Sequence, residues 1–169
     1  ATKPSLIDVL LEPASPLPDA AAATAELRQL VRGMPEEMLL DRVRIWTAER
    51  RFQLSVQLLD AAIAPHRAAR ELAYMADAAV AVLAETVTAS FIQRHGDLPG
   101  QHLVPLALGR FGGGELTTQS DLDLVLVFNG DFDTHSNGQP PLSASAWFNR
   151  LGQRLLAALT VPTAAGPLY

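Results

Sequence analysis

The stretch Leu103–Phe128, LVPLALGRFGGGELTTQSDLDLVLVF, decides how this chain is read. Three pieces follow one another in it: an apolar run from Leu103 to Leu108, a glycine turn with Gly109, Gly112, Gly113 and Gly114, and a second apolar run opened by Asp121 and Asp123. Two strands joined by a turn of phosphate size fit that order. Side chains alternate across a strand at about 6.6 Å per two residues, so Asp121 and Asp123 share one face and Leu122, Leu124, Leu126 and Phe128 take the other. Val125 and Val127 follow the two acids and extend their side into apolar packing, which predicts a strand buried except at its acidic start. Two carboxylates at this spacing repel by roughly 2–3 kcal/mol at an effective dielectric of about 20. Such a cost invites a cation. Mg²⁺ is commonly held by one or two carboxylates, with water and substrate phosphates filling its other positions. Asp121 and Asp123 supply that minimum.

The glycines make the complementary half. Residues without a Cβ let backbone N–H groups approach a ligand closely, and phosphates can lie on such a turn. Two better-known glycine patterns are excluded. A dinucleotide fingerprint starting at Gly112 has Thr117 where its last glycine belongs, and the Gly-Lys-Ser/Thr of a P-loop is missing. What remains is a short turn, seven residues between Gly113 and Asp121, and an Asp-x-Asp strand.

Gly-Gly followed after a short spacer by alternating apolar and Asp residues resembles the signature of the polymerase-beta-like nucleotidyltransferase superfamily. The fuller string GRFGGGELTTQSDLDL resembles a narrower group, the bacterial bifunctional glutamine synthetase adenylyltransferase/adenylyl-removing enzymes. Gly109, Arg110, Phe111, Gly112, Gly113, Glu115, Ser120, Asp121 and Asp123 carry the match. The later NRLGQRLL and PTAAGPLY runs resemble it too, and the likeness is specific from about Arg42 to Tyr169. Gly114 departs from the pattern, since the family's transferase half often has a larger residue there.

The resemblance implies an α+β fold: a polymerase-beta-like core with a small mixed or antiparallel sheet and helices, preceded by a long helical hairpin and cut before its last strands. It implies transfer of AMP from ATP to a tyrosine of glutamine synthetase, under control of glutamine and a PII signalling protein, with a second site on the same polypeptide removing AMP by phosphorolysis. Asp121 and Asp123 are then the catalytic pair and the Mg²⁺ ligands, Gly112 and Gly113 cradle the triphosphate, and Ser120 orients the turn or a phosphate. Arg110 and Glu115 serve either the turn or the ligand. A third carboxylate belongs on a later strand, beyond Leu168 and Tyr169. The ERRFQ run at Glu49–Gln53 and the GRFGG turn look more like the C-terminal, transferring half.

Composition bounds the setting. The formal charge is −5, from 13 basic and 18 acidic residues, so no global positive field favours nucleic acid. The absence of cysteine excludes a disulfide framework and a thiolate metal site, and suits a reducing cytoplasm. No run approaches 18 consecutive apolar residues and the start lacks a basic-then-apolar signal pattern, so no membrane association is expected. The chain begins at Ala1 and ends on Pro-Leu-Tyr, which reads as a piece of something longer.

Three segments are expected: a linker and short helix over 1–34, a helical hairpin over 35–98, and a partial nucleotidyltransferase core over 99–169. In the first, an apolar patch at Leu6–Leu11 precedes Pro13, Pro16 and Pro18, and Asp19 can cap an alanine-rich helix reaching about Arg32. Pro35 with Glu36 and Glu37 starts a long helix with a stripe of Leu39, Val43, Trp46, Phe52, Val56, Leu59 and Ile63. Arg42, Arg44, Arg50 and Arg51, interleaved with Asp41 and Glu49, predict a solvated, ion-paired face. Pro65 restarts a second helix, whose stripe is Leu72, Met75, Ala79, Val82, Leu83, Val87 and Phe91 and whose stop is Gly96. Pro105 cannot donate to a ladder, so its N side is expected unpaired or bulged. Asn129–Pro141 predicts a mobile loop, in which Asp131 and Asp133 read as solvated. A last helix is capped by Ser143 or Ser145 and faces the core with Trp147, Leu151, Leu155, Leu156 and Leu159. The four histidines lack ligand spacing. Two readings outside the family stay open: a nucleotidyltransferase with a small-molecule acceptor, and a noncatalytic nucleotide-sensing or scaffold domain of the same fold.

Overall fold

Asp19 opens the first helix, α1 (Ala20–Leu30). Its extended backbone places the carboxylate to accept from the Ala22 N–H at 2.8 Å, satisfying one of the donors that a helix start leaves free. The computed structural model describes residues 16–100 and 102–169. The patch Leu6–Leu11 and Pro13 lie outside them. Helix α2 runs Glu36–Leu59, with Pro35 as its cap and Glu36 and Glu37 in the first turn. Helix α3 runs Pro65–His95, with proline in its opening turn and Gly96 ending it at φ +75°. Strand β1 (His102–Ala107) leads into a single helical turn, α4 (Gly109–Gly112). Strand β2 (Leu124–Asn129) and helix α5 (Ala144–Thr160) follow. The fold is α+β.

α3 is the element around which the others pack. Its whole expected stripe, from Leu72 to Phe91, is buried against α1, α2 and α5. By length and composition α3 could cross a membrane, but 50% of its most apolar window is already buried inside the protein. Arg154 of α5 donates to Glu36 at 3.1 Å and to Ser90 at 3.4 Å, so the start of α2 lies beside the end of α3. The two helices are therefore antiparallel. The hydrophobic core runs without a break from Leu17 to Leu168 and draws on all the helices.

Three expectations along the helices are corrected. Leu59 is 86% exposed because α2 has run past its partners there, and Leu54 takes the buried position instead. Leu156 is also exposed, with Phe148 buried in α5. Arg44 and Arg50 of α2 are buried and do not belong to a solvated face. Arg44 is fully buried and donates to the Leu40, Ala158 and Val161 carbonyls, so its guanidinium caps the C-terminal end of α5. Burial without a carboxylate partner lowers the Arg44 pKa, with Asp41 acting in the opposite sense. Arg50 pairs with Glu26 of α1 and lies 5.5 Å over the Trp46 ring. Long side chains reached partners on other helices that charge spacing along one helix could not reveal.

The strands pair antiparallel, with Val104 opposite Val127, Pro105 opposite Leu126 and Leu106 opposite Val125. The Leu108 N–H donates to the Asp123 carbonyl at 2.8 Å, which marks these two as a bonded pair just beyond the ladder. Antiparallel pairs alternate between bonded and non-bonded, so Pro105 falls in a non-bonded pair. Its missing donor faces outward, away from β2. The segment expected to be a mobile loop is tied to the end of α3. Ser136 Oγ donates to the His95 carbonyl at 2.9 Å, and Asn137 exchanges bonds with Asp97 at 3.0 and 2.7 Å. A Cβ on Gly138 would stand 2.0 Å from the His95 carbonyl oxygen, so only glycine permits this approach. Ser143 caps α5, accepting from the Ala146 N–H at 3.4 Å.

Candidate functional site

The two faces of the β1–β2 sheet part company. Leu103, Ala107, Leu122, Leu124 and Leu126 turn toward the helices and pack on the core, with Leu126 against Gly152 of α5. The opposite face carries Asp121, Asp123, Val125 and Val127 from one side and Val104, Leu106 and Leu108 from the other, all exposed. The alternation of Asp121 through Val127 is therefore as expected, but the second run is not buried: Val125 is 44% and Val127 43% exposed. No element among the described residues covers that face. The ladder also begins later than expected, at Leu124, so both acids stand on the extended segment leading into β2.

Between the strands the chain makes the single turn of α4 instead of a plain loop, and two of its glycines are explained by contact. A Cβ on Gly112 would lie 2.5 Å from the Ala107 carbonyl oxygen, so the turn folds back tightly on β1 only without a side chain. Gly109 has φ +56°, and a Cβ there would lie 2.4 Å from Asp123 Oδ2. The Asp123 carboxylate thus rests against the bare backbone of Gly109. Gly113 is exposed, and a Cβ there would meet nothing closer than 3.5 Å. Gly109 was legible as part of the turn, yet its place beside Asp123 was not, because 14 residues separate them and only strand pairing brings them together.

Ser120 is occupied within its own turn. Its Oγ accepts from the Thr117 N–H at 3.0 Å and lies 2.8 Å from Thr117 Oγ1. The helices hold this turn at two further points. Leu116 is buried, and its N–H donates to the Ala69 carbonyl of α3 at 3.1 Å. Arg51 of α2 donates to the Thr118 carbonyl and lies 5.4 Å over the ring of Tyr169, whose buried hydroxyl has no hydrogen-bond partner. Burial pushes the Tyr169 phenol well above its ordinary range, with Arg51 pulling it down and Asp77 pushing it further up.

Arg110 and Glu115 line a hollow of about 410 Å³ with Ala69, Gly113, Leu116 and Thr117. A larger cavity of about 480 Å³ lies on the helix side, among Arg28, Asp77, Pro105, Phe111 and Leu124, and contains neither acid. Neither hollow is lined by Asp121 or Asp123; the smaller one adjoins the glycine turn through Arg110 and Gly113. Asp131 and Asp133 stay in their own turn, Asp131 accepting from the Asp133 N–H at 3.0 Å. Among the described residues, no three His, Asp or Glu side chains gather as a complete metal cluster. Asp121 and Asp123, open to solvent on one face, nonetheless fit an ion that takes its remaining ligands from water and phosphate.

Comparison with known proteins gives the family. The family model for glutamate-ammonia ligase adenylyltransferase matches residues 1–169. The bifunctional glutamine synthetase adenylyltransferase/adenylyl-removing enzyme of Mesorhizobium japonicum is 39% identical over 99% of this chain and 17% of its own length. Those of Brucella suis and Xanthobacter autotrophicus are 41% and 38% identical, over 98% and 100% of the chain. The chain spans 17–18% of the length of these relatives. It belongs to the glutamate-ammonia ligase adenylyltransferase family.

Proposed function

We propose that this chain supplies the nucleotide- and metal-binding half of a nucleotidyltransferase site in a polypeptide of its relatives' length, transferring AMP from ATP to a tyrosine of glutamine synthetase in the cytoplasm. The carrying observation is the pair Asp121 and Asp123 on one open face, with the backbone of Gly109 bare against Asp123. The relatives' name, which joins adenylyl transfer with adenylyl removal, supports the reaction class. The ERRFQ and GRFGG runs favour the transferring half over the phosphorolytic one. Glutamine and a PII protein are the regulators this reading implies.

Nucleotidyl transfer needs the triphosphate held for in-line attack at its α-phosphorus, so positioning and charge neutralisation do most of the catalysis. Asp121 and Asp123 would hold Mg²⁺, which supplies charge neutralisation at the phosphates when bound. Gly112 and Gly113 leave the turn free of side chains, so phosphates would lie against bare backbone there, although the two N–H groups already donate to the Leu108 and Gly109 carbonyls at 2.8 and 3.1 Å. Ser120 braces the turn that leads into the acids. The hollow between Arg110 and Glu115 leaves room for the rest of the nucleotide.

Calorimetric titration with ATP, with and without Mg²⁺, tests the reading on the chain and on the full-length polypeptide, each beside the Asp121→Asn, Asp123→Asn double variant. Mg²⁺-dependent binding that the double variant loses is the expected result. A folded full-length polypeptide that binds no ATP with Mg²⁺ would sink the nucleotidyltransferase reading. Incubation of the full-length polypeptide with glutamine synthetase then gives the direction: if the double variant loses AMP addition this site transfers, and if it loses phosphate-dependent AMP release this site removes.

A further inference from the structure

Arg51 stands out among the cations of α2 because its partner lies neither on a helix nor in an ion pair. It reaches 67 residues along the chain to a backbone carbonyl, that of Thr118, in a partly buried turn. The Tyr169 ring lies under the guanidinium. A planar cation on an aromatic face keeps its direction, so the donor is aimed at one point of the turn. The turn is short. Thr118 is three residues from Asp121, and the Ser120 hydroxyl locks Thr117 to Ser120 in between. The neighbouring Leu116 anchor fixes the entrance of the turn on α3, and the Leu108–Asp123 bond fixes its exit on β1. Between these anchors, Arg51 reaches in from the helical hairpin.

We infer that Arg51 is a positioning residue for the proposed transfer: stacked on Tyr169, it holds the Thr117–Ser120 turn, and through it aims Asp121 beside Asp123. The inference rests on the nucleotidyltransferase reading. The bond joins a charged donor to a part-buried carbonyl and contributes about 1.5–3 kcal/mol, a cost that the fold survives. A shift of about 1 Å in a catalytic group can cost up to about 100-fold in rate. The Mg²⁺ dependence of turnover and the exchange of the turn amides, which a loss of global stability alone would not move, separate the positioning role from a structural one.

The test uses the full-length polypeptide carrying Arg51→Met, which keeps an unbranched apolar stem without the donor, Arg51→Lys, which keeps a cation and a donor, and Tyr169→Leu, which removes the platform. Arg51→Met is expected to lower kcat about 10-fold or more and to raise the Mg²⁺ concentration for half-maximal rate, while the KM for glutamine synthetase stays near wild type and the melting temperature falls by only a few degrees. Arg51→Lys is expected to recover at least half of the loss on a logarithmic scale, and Tyr169→Leu to fall between. Amide hydrogen exchange across Leu116–Asp123 gives a readout independent of activity. Exchange at Thr117 and Ser120 should speed up about 10-fold in Arg51→Met, while the α3 amides are unchanged. Unchanged turnover, Mg²⁺ dependence and exchange in Arg51→Met overturn the inference, as does an Arg51→Lys variant no better than Arg51→Met. Should Arg51→Met fail to fold, the lysine and Tyr169→Leu variants decide: full activity in Tyr169→Leu with unchanged exchange overturns it. A wild-type polypeptide without Mg²⁺-dependent transfer refutes the function itself, and the exchange comparison still decides whether Arg51 holds the turn.

Discussion

The two faces of the small sheet are made of the same strands and nearly the same residue types, yet they have different fates. On the helix side, Leu122, Leu124 and Leu126 meet α5 and the core. On the other side, Val104, Leu106, Val125 and Val127 meet only one another across the strands, with no element among the described residues covering them, and the acids stand at the end of that row. A two-stranded sheet is marginal in water by itself, so the helix-side contact is what stabilises it. The open face is then free to carry charge: two carboxylates there are hydrated, whereas on the helix side each would face a desolvation cost of several kcal/mol. The core contact sits on one face and the acids on the other, and strand alternation keeps them apart.

The sharpest way to break this division is at Gly109, where backbone and carboxylate meet. Gly109→Ala adds a methyl group 2.4 Å from Asp123 Oδ2 at a backbone angle of φ +56°. Strain of about 1–2 kcal/mol and a displaced Asp123 are expected, with AMP transfer falling about 100-fold and ATP affinity without Mg²⁺ little changed. Steady-state kinetics of the full-length polypeptide check it. Wild-type rates in this variant would mean that Asp123 does not work from the place the structure gives it.

Paired substitutions on β2 measure the two faces against each other. Leu126→Ala should cost about 2 kcal/mol by urea unfolding, because it leaves a gap against α5. Val127→Thr should stay within about 0.5 kcal/mol, since Val127 is half-exposed and threonine keeps the branched shape that suits a strand. Equal costs in the chain would contradict the open face. A cost at Val127 that appears only in the full-length polypeptide would identify a covering element and sharpen the contrast.

The smallest expected effect concerns acid. Burial raises the pKa of Glu26, but its bonds to Arg50 and Trp46 outweigh this, and the carboxyl ends below its ordinary value. Glu36 is likewise raised by burial and lowered further by Ser90, Arg154 and Arg94. A carboxyl with a lowered pKa when folded contributes stability above its unfolded value of about 4.3, and that contribution fades as pH falls through the folded value. Both groups remain partly exposed, so solvent screening keeps the effect modest. Thermal melts should show a decline below about pH 4 that is shallower in the Glu26→Gln, Glu36→Gln double variant. An identical decline would place the acid sensitivity elsewhere, outside the α1–α2 and α2–α5 junctions.

Much of this was legible residue by residue. Asp19 and Gly96 marked helix ends correctly, because capping and left-handed stops depend only on neighbours in the chain. The α3 stripe and the alternation from Asp121 to Val127 were readable for the same reason: periodicity is local. The arginines of α2 were misread because their partners, Glu26, the α5 carbonyls and Thr118, lie on other elements. The Asn129–Pro141 segment read as loose, yet it is pinned by Ser136 and Asn137 to the end of α3.

What the sequence determined by itself was the order of elements, the identity of the two acids and the side of the strand they share, since each follows from spacings of a few residues. Tertiary structure alone decided that this side stays open, that Gly109 stands against Asp123, and that Arg51 reaches the turn before Asp121. Those facts depend on which distant surfaces meet, and contact between remote segments is set by the packing of the whole core around α3, which no local pattern encodes.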